Sequence, residues 1–344
     1  MEVIERTISL PRDPGINLLR HIRESLASHL TRFEIPIRFV VTSYDATQFS
    51  CEIGIIHEED NSRLSKDIES IFACRIRKTE VTEKFNIALI IPTGVGAEIG
   101  GHAGDATAVA RLMAEVCDRL VIHPNVVNAS DINEMPSNSL YVEGSILSRL
   151  LMGTVGLQPT RSNRVLVVLD AHPDQHFVDA AVNTVSAARA TYGLNCPGVI
   201  LLDPPVHMRG EYSASGRAVG RVSSLRHCLD ILEQERSTYD AIALSSVIRV
   251  PPEYHLEYFK SDGEMVNPWG GVEAMLTHTI SSLLDVPSAH SPMFESRRTE
   301  NLETGIVEPR MSAEAVSVSF LQCILKGLHR SPRIVTDISR SPDV

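Results

Sequence analysis

The alternation of apolar and polar positions separates a short first segment of the chain from the rest. Apolar residues between Leu18 and Leu30 fall on one face of a predicted helix, and two strand-like runs follow at 36–43 and 51–57. A second helix is predicted over 64–74. Residues 1–84 are therefore predicted to form a small α+β domain.

From residue 85 onward, short apolar runs alternate with helical patterns, one of which is a helix predicted over 139–151. The predicted strands are 87–91, 119–122, 165–169, 199–202 and 241–244. This alternation predicts an α/β fold with a mostly parallel sheet and helices on both faces, preceded by the small α+β N-terminal domain. The α/β domain is predicted over 85–335, with a flexible tail over 336–344.

The composition is that of a globular protein large enough for two domains: 344 residues, 43% hydrophobic and 22% charged. The formal net charge is −11, and no basic stripe of the kind that binds nucleic acid is present. The first residues do not resemble a signal peptide, and no apolar run reaches the roughly 18 residues of a membrane span. We therefore expect a cytoplasmic protein without nucleic-acid or membrane partners. The expected partner is a small-molecule substrate, and α/β enzymes of this kind often form homo-oligomers.

Polar side chains concentrate directly after the predicted strands, where an open parallel sheet binds its ligands. Five histidines and five aspartates occupy these positions. The pattern predicts an enzyme active site at this edge of the sheet. The alternative is that strand ends carry loops, which are polar in any protein.

A glycine-rich loop, 93–105, follows the first of these strands. Its backbone N–H groups can approach an anion closely, which favours a substrate carboxylate or phosphate. The spacing matches a dinucleotide fingerprint only loosely, and His123-Pro-Asn125 stands where an acidic residue would hold a ribose, so NAD and FAD are disfavoured. A tight turn that only packs is the alternative. The predicted substrate-binding residues are Gly94, Gly96, Gly100, Gly101, His102, Asn125 and Arg217.

The segment Asp170-Ala-His-Pro-Asp174 carries the sharpest local motif. Its spacing can direct Asp170, His172 and Asp174 at one divalent metal ion (manganese, iron or zinc). His176 is the predicted fourth ligand, and Asp203, His102 and Asp105 are the alternatives. The segment resembles the Asp-Ala-His-x-Asp stretch of the arginase-like ureohydrolases, and the resemblance implies paired manganese ions. The aspartate pair that those enzymes carry after a later strand is absent here, where the chain reads Ala243-Leu-Ser-Ser246. A hydrogen-bonded polar loop is the alternative.

Candidate acid and base groups occur in this segment and near the end of the chain. His172 and Asp174 are two of them, beside their role as metal ligands. Glu273 lies in the first turn of a predicted helix that follows the only tryptophan, and His290 lies in a polar loop. The alternatives are a capping glutamate and a structural histidine.

Four segments together are similar to an uncharacterised domain-of-unknown-function family with members in photosynthetic microbes and plants. They are Gly94-Val-Gly-Ala-Glu-Ile-Gly-Gly-His-Ala-Gly-Asp105, His123-Pro-Asn-Val-Val-Asn128, Asn267-Pro-Trp-Gly-Gly-Val-Glu-Ala-Met275 and Pro287-Ser-Ala-His290. The resemblance implies one shared architecture over nearly the whole chain. It implies no catalytic residue.

The predicted function is that of an enzyme, a hydrolase or lyase, that acts on a small polar or anionic metabolite. The chemistry would be hydrolysis or a related acid–base reaction, with or without a metal ion. Two alternatives stay open at this point. One is a phosphate- or nucleotide-binding transferase that uses the glycine-rich loop, and the other is a non-catalytic binding or assembly protein.

Overall fold

The structure is a computed structural model, and it shows an α/β protein with a nine-stranded main sheet. The residues it describes are 1–13, 15–58, 71–76, 83–91, 106–127, 135–312, 315 and 320–341. The glycine-rich loop and most of the helix predicted over 64–74 lie outside the described residues.

The strands of the described residues are β1 (Glu2–Pro11), β2 (Glu34–Tyr44), β3 (Gln48–His57), β4 (Asn86–Ala88), β5 (Arg119–Ile122), β6 (Ser139–Tyr141), β7 (Gly156–Gln158), β8 (Val165–Asp170), β9 (Val199–Leu202), β10 (His207–Tyr212), β11 (Ala218–Ser223), β12 (Ala241–Arg249), β13 (Ser288–Met293) and β14 (Arg333–Val335). The α-helices are α1 (Leu18–Leu26), α2 (Thr107–Ala114), α3 (Gly144–Leu151), α4 (Gln175–Tyr192), α5 (Leu225–Gln234), α6 (Pro252–Lys260), α7 (Gly270–Leu284), α8 (Arg297–Glu300) and α9 (Phe320–Arg330).

The main sheet has the order β2-β3-β1-β11-β10-β12-β8-β9, and β13 pairs with β12. Strands β13, β12, β8 and β9 are parallel to one another, whereas β1, β2, β3 and β11 pair antiparallel. Two smaller sheets contain β4-β5-β6 and β14-β7.

The main sheet is mixed, so the prediction of a mostly parallel sheet is wrong. The β10–β11 hairpin, which the sequence analysis did not predict, joins the two parts: β10 pairs with β12 and β11 pairs with β1. The first strands therefore extend the main sheet, and a separate N-terminal domain is not confirmed. The boundaries at residues 84 and 335 stay predictions.

Helices cover both faces of the parallel strands. One face packs Leu166, Val168 and Leu244 against α5 and α7, and the other packs Val167 and Ala243 against α4 and α9. Because these strands are buried on both sides, their sequences are continuous apolar runs, as predicted.

The connections around β8 run in opposite directions. From β8 the chain passes through α4 on one face to β9, and from β12 it passes through α7 on the other face to β13. Since β8 lies between β12 and β9, the reversal falls between β8 and β12. Doubly wound sheets bind ligands at this position, beyond the carboxyl ends of the strands.

A buried asparagine ties α9 to the start of β8. Asn163 is fully buried, and its Nδ2 donates to the carbonyl oxygens of Leu328 at 2.9 Å and Ser331 at 2.7 Å. The change Asn163→Ala leaves both carbonyl groups without this donor, so we expect the free energy of unfolding to fall by about 2–3 kcal/mol. Urea denaturation measures the loss. The exposed Asn301 is the control, where Ala should change stability by less than about 0.5 kcal/mol; equal effects at the two positions would contradict the prediction.

Candidate active site

A cavity of about 540 Å³ lies beside α7, between the end of the β4-β5-β6 sheet and the strands β2, β11 and β13. Such a volume accommodates a small metabolite. Its lining includes the ionisable side chains Tyr141, Glu143, His123, Glu273, His278 and His290. Glu273 and His290 are two of the four acid–base candidates of the sequence, and the structure brings them into contact.

Ser246, His290 and Glu273 form one hydrogen-bonded chain. The Oγ atom of Ser246 lies 2.8 Å from Nε2 of His290, and Nδ1 of His290 lies 2.9 Å from Oε1 of Glu273. A carboxylate only accepts hydrogen bonds, so Nδ1 of His290 carries a proton, and in the neutral ring Nε2 accepts from the Ser246 hydroxyl. The strand register places Leu244 beside His290, so Ser246, two residues later, points to the same face of the sheet.

The first turn of α7 positions Glu273, the carboxylate of this hydrogen-bonded chain. Oδ1 of Asn267 accepts from the backbone N–H groups of Trp269 and Gly270 at 2.9 and 3.1 Å and so caps the helix start. A Cβ atom at position 271 would lie 2.0 Å from the carbonyl oxygen of Ala218, so only glycine lets α7 pack this closely on β11. The Asn-Pro-Trp-Gly-Gly segment thus sets the position of Glu273 over the cavity.

The exposure of the three side chains decides which of them can meet a substrate. The Glu273 side chain is 27% exposed, the His290 side chain is 1% exposed, and Ser246 is buried and does not line the cavity. In a serine-nucleophile triad the serine faces the substrate and the acid is buried. Here the order is reversed: Glu273 is the end of the hydrogen-bonded chain that faces the cavity, and Ser246 is the buried end.

A second carboxylate–histidine pair lies in the same cavity. Glu143 caps α3 by accepting from the backbone N–H groups of Ser145 at 2.9 Å and Ile146 at 3.1 Å, and its Oε2 lies 3.1 Å from Nε2 of His278. Nδ1 of His278 is buried without a hydrogen-bond partner among the described residues. It is thus an unused polar atom of this wall.

Two further residues of the cavity lining, Tyr141 and His123, supply hydrogen-bond donors. Burial, together with the charges of Glu273 and Glu143, raises the pKa of Tyr141 well above its usual value, so its hydroxyl stays protonated. Burial lowers the pKa of His123 to about 4, which keeps this ring neutral at pH 7. Nε2 of His123 accepts from the Ile91 N–H at 3.0 Å, so the proton is on Nδ1.

Two predicted substrate-binding residues line the cavity, although other contacts occupy them. Nδ2 of Asn125 donates to the Ile91 carbonyl oxygen at 3.4 Å. Arg217 is buried and bonds to Glu5 at 3.0 Å and to Glu52, which neutralises its charge. Both side chains therefore also hold the cavity wall in shape. The predicted residues Gly94, Gly96, Gly100, Gly101 and His102 lie outside the described residues.

The predicted metal-binding segment lies outside this cavity, at the end of β8. Its four candidate ligands contact different groups. Asp170 and His172 line a separate pocket of about 230 Å³. Asp174 caps α4 and bonds to Arg297 at 2.8 Å, and this ion pair lowers the pKa of Asp174 to about 2. His176 lies 3.6 Å from Glu300. Among the described residues, no group of three or more His, Cys, Asp or Glu side chains has the arrangement of a metal site.

Tyr141, Glu143 and His278, which line the cavity, and Ser246, which is buried behind His290, were not among the site residues predicted from the sequence. Ser246 was noted only because an acidic residue was absent there. Glu143 lies in the stretch predicted as one helix over 139–151, whereas β6 ends at Tyr141 and α3 begins at Gly144. A glutamate followed by Gly-Ser at a strand-to-helix junction is a capping signal that could have identified it.

The comparisons with known proteins identify relatives without a known function. No solved structure matches this chain. A curated protein of the cyanobacterium Synechococcus sp., described as an uncharacterized lipoprotein, is 34% identical over 249 residues, which are 71% of this chain and 67% of the relative.

The relative's description corrects one prediction. Because it is a lipoprotein, the comparison contradicts the cytoplasmic location predicted for this chain. Within the part of the chain that the structure describes, no helix combines the length and apolar character needed to cross a membrane.

The family resemblance noted in the sequence is confirmed. A family model described as "Protein of unknown function (DUF3326)" matches residues 86–343, three quarters of the chain, and the relative comes from a photosynthetic microbe. The chain therefore belongs to the DUF3326 family.

Proposed function

We propose that this protein is an enzyme that acts on a small polar metabolite by hydrolysis or a related acid–base reaction, with Glu273 as the group that accepts the proton. The observation that carries the proposal is the hydrogen-bonded chain of Ser246, His290 and Glu273, which reaches the 540 Å³ cavity through its carboxylate. A general base must lie within hydrogen-bond reach of the proton that it abstracts, and the bond to His290 fixes Glu273 in one orientation.

The hydrogen bonds leave Glu273 with one oxygen for the substrate. Oε1 accepts from His290, and no other side-chain bond to this carboxylate occurs among the described residues. When Glu273 takes up a proton from a water or from the substrate, the His290 N–H keeps the carboxyl group in place. The proton of Ser246 in turn fixes the His290 ring, so the base keeps one geometry during turnover.

The reaction also needs a donor for the oxygen on which negative charge develops. Tyr141 suits this role, because its raised pKa keeps the hydroxyl protonated and both carboxylates act on it from nearby. A preoriented donor in a cavity stabilises a developing oxyanion more than water does. Glu273 and Tyr141 therefore form the base and the donor of one site.

The cavity favours a polar substrate that is neutral or cationic. The guanidinium group of Arg217 is engaged by Glu5 and Glu52, and Arg38 lies 3.9 Å from Glu5, whereas Glu273 keeps a free oxygen. Among the lining residues that the structure describes, the charged group left for a ligand is therefore the Glu273 carboxylate. The lipoprotein description of the relative favours action at a membrane surface for this chain as well.

A metabolite-turnover screen tests the proposal. Purified protein is incubated with a fractionated extract of small metabolites, and mass spectrometry records compounds that disappear and compounds that form. We expect at least one polar compound to be converted at a rate proportional to the enzyme concentration.

The control variant is Ala274→Trp, which places a large side chain in the cavity lining next to Glu273. This variant should lose the conversion while it retains its fold by circular dichroism. A protein that retains a compound in native mass spectrometry and never converts it would be a binding protein, and this outcome would refute the enzymatic proposal.

Removal of the supporting hydroxyl should have a modest effect on turnover. In the variant Ser246→Ala, His290 loses its Nε2 partner but keeps its bond to Glu273, so we expect kcat to fall about 10-fold, the equivalent of one lost hydrogen bond of about 1.4 kcal/mol. Steady-state kinetics on the converted compound measure this change. Ser245→Ala, at the neighbouring buried position of β12, is the matched control. A loss of 10⁴-fold or more would instead indicate a serine nucleophile.

A further inference from the structure

One edge of the main sheet runs along the acid–base cavity. β2 is the first strand in the sheet order and pairs with β3 alone. Val40 and Val41 pair with successive residues of β3, Glu52 and Cys51, so their side chains point to opposite faces of the sheet. Both residues nevertheless line the cavity. Since one face of a strand presents only every second residue, the cavity lies along the outer edge of β2.

The backbone of this edge has hydrogen-bonding groups that no strand pairs. In an antiparallel edge strand, alternate residues direct their N–H and C=O groups away from the neighbouring strand. Among the described residues, 38–43 make no backbone hydrogen bond outside the β2–β3 pairing. Register shifts interrupt that pairing just before Arg38 and just after Val41, so the regular edge is four residues, about 13 Å long. An edge of this length matches a peptide of three or four residues.

Exposed apolar side chains form the mouth of the cavity beside this edge. Val41 of β2 is 39% exposed, Ile90, which follows β4, is 51% exposed, and Leu151 at the end of α3 is 58% exposed. All three line the cavity, although they belong to three separate parts of the fold. Apolar side chains that stay exposed around a cavity indicate a ligand whose own apolar groups cover them.

The same edge leads from the mouth to the carboxylate of Glu273. α7 packs against β2, and Nη1 of Arg38 donates to the carbonyl oxygen of Gly271 at 3.3 Å. Gly271 lies in the first turn of α7, which also carries Glu273. A segment that pairs with β2 from Val41 to Arg38 therefore runs toward the acid–base group.

We propose that the ligand of this cavity is a short extended peptide, uncharged or cationic, that pairs with the edge of β2 and reaches Glu273. Strand addition gives affinity through main-chain hydrogen bonds and specificity through the contacts of alternate side chains. The apolar side chains of the peptide contact the mouth, and the Glu273 carboxylate repels acidic peptides. As a substrate class the peptide rests on the proposed function, whereas its binding along β2 is independent of turnover.

Isothermal titration calorimetry of the purified full chain tests the proposal. The probes are three forms of the peptide acetyl-Val-Thr-Val-Lys-amide: unmodified, N-methylated at the first and third residues, and N-methylated at the second and fourth residues. A strand pairs along one of its edges, so only alternate N–H groups of the peptide donate to β2. We expect the unmodified peptide to bind saturably and one N-methylated form to lose about 10-fold or more in affinity. The other N-methylated form should bind like the unmodified peptide.

Two leucines of similar exposure provide a matched pair of variants. Leu151→Ala removes an apolar contact at the mouth and should weaken binding of the unmodified peptide about 10-fold. Leu201, which is 54% exposed in β9 at the opposite edge of the main sheet, is the control, and Leu201→Ala should leave the affinity unchanged. Ala274→Trp, which fills the cavity, should abolish peptide binding.

The proposal is overturned if the unmodified peptide does not bind, if both N-methylated forms bind like it, or if the two leucine variants weaken binding equally. It is also overturned if β2 pairs with a second copy of the chain, which light scattering would show as a dimer that Val41→Lys dissociates. Peptide binding without conversion of any compound would support this proposal and refute the enzymatic one. Conversion of another compound by a chain that binds no peptide would do the reverse.

Discussion

The variant Glu273→Gln should reduce kcat by about 100- to 10,000-fold, the usual contribution of a general base. The glutamine oxygen can still accept the hydrogen bond from Nδ1 of His290, now at 2.9 Å. The geometry of the site is therefore retained, while the group can no longer take up a proton. Steady-state kinetics on the compound found by the turnover screen measure the loss, and thermal unfolding shows whether the fold is intact.

The matched control for this experiment is Glu253→Gln, the same chemical change at an exposed position in the first turn of α6. It should leave kcat within twofold of the wild type, as surface substitutions usually do. A Glu273→Gln enzyme that retains more than half of its turnover would show that Glu273 does not transfer the proton. Glu143, the second carboxylate of the cavity, would then be the next candidate.

The sequence pointed to Glu273 and His290, two members of the candidate site, from their motifs and not from their contacts. Their bond joins α7 to β13, and no local pattern specifies that pairing. The sequence could not indicate Ser246 for the same reason, because a serine inside an apolar strand is expected to be part of the core. Its role depends on the register of β12 against β13, which places it on the side of His290.

The mixed sheet could not be predicted because its antiparallel half depends on one hairpin. Residues 213–221 are rich in small polar residues and resemble a surface loop, yet β10 and β11 pair across them, with Gly210 opposite Gly220. A Cβ atom at position 220 would lie 2.2 Å from the Arg209 carbonyl oxygen, so these glycines serve close strand packing and not a flexible turn. The parallel half was predicted because each of its strands is a continuous apolar run.

The variant Asp170→Asn should stabilise the protein at pH 8 and leave it unchanged at pH 4. Burial raises the pKa of Asp170 to about 7, far above that of an aspartate in the unfolded chain. Between about pH 4 and pH 7 the unfolded state therefore loses a proton that the folded state keeps, and the free energy of unfolding of the wild type falls as the pH rises. Above pH 7 the loss is complete and amounts to at most about 4 kcal/mol. Asparagine is neutral at every pH, so it removes this loss.

Urea denaturation of both proteins between pH 4 and pH 8 measures the difference, and Asp174→Asn, four residues away, is the control with the opposite sign. Arg297 lowers the pKa of Asp174, so its charge favours folding above the unfolded pKa, and asparagine there should not stabilise the protein at pH 8. If Asp170→Asn were no more stable than the wild type at pH 8, the Asp170 carboxyl group would have a partner or solvent that the described residues do not provide. A gain at pH 8 would mean that the chain keeps a destabilising buried carboxylate, as proteins do where a ligand site requires it.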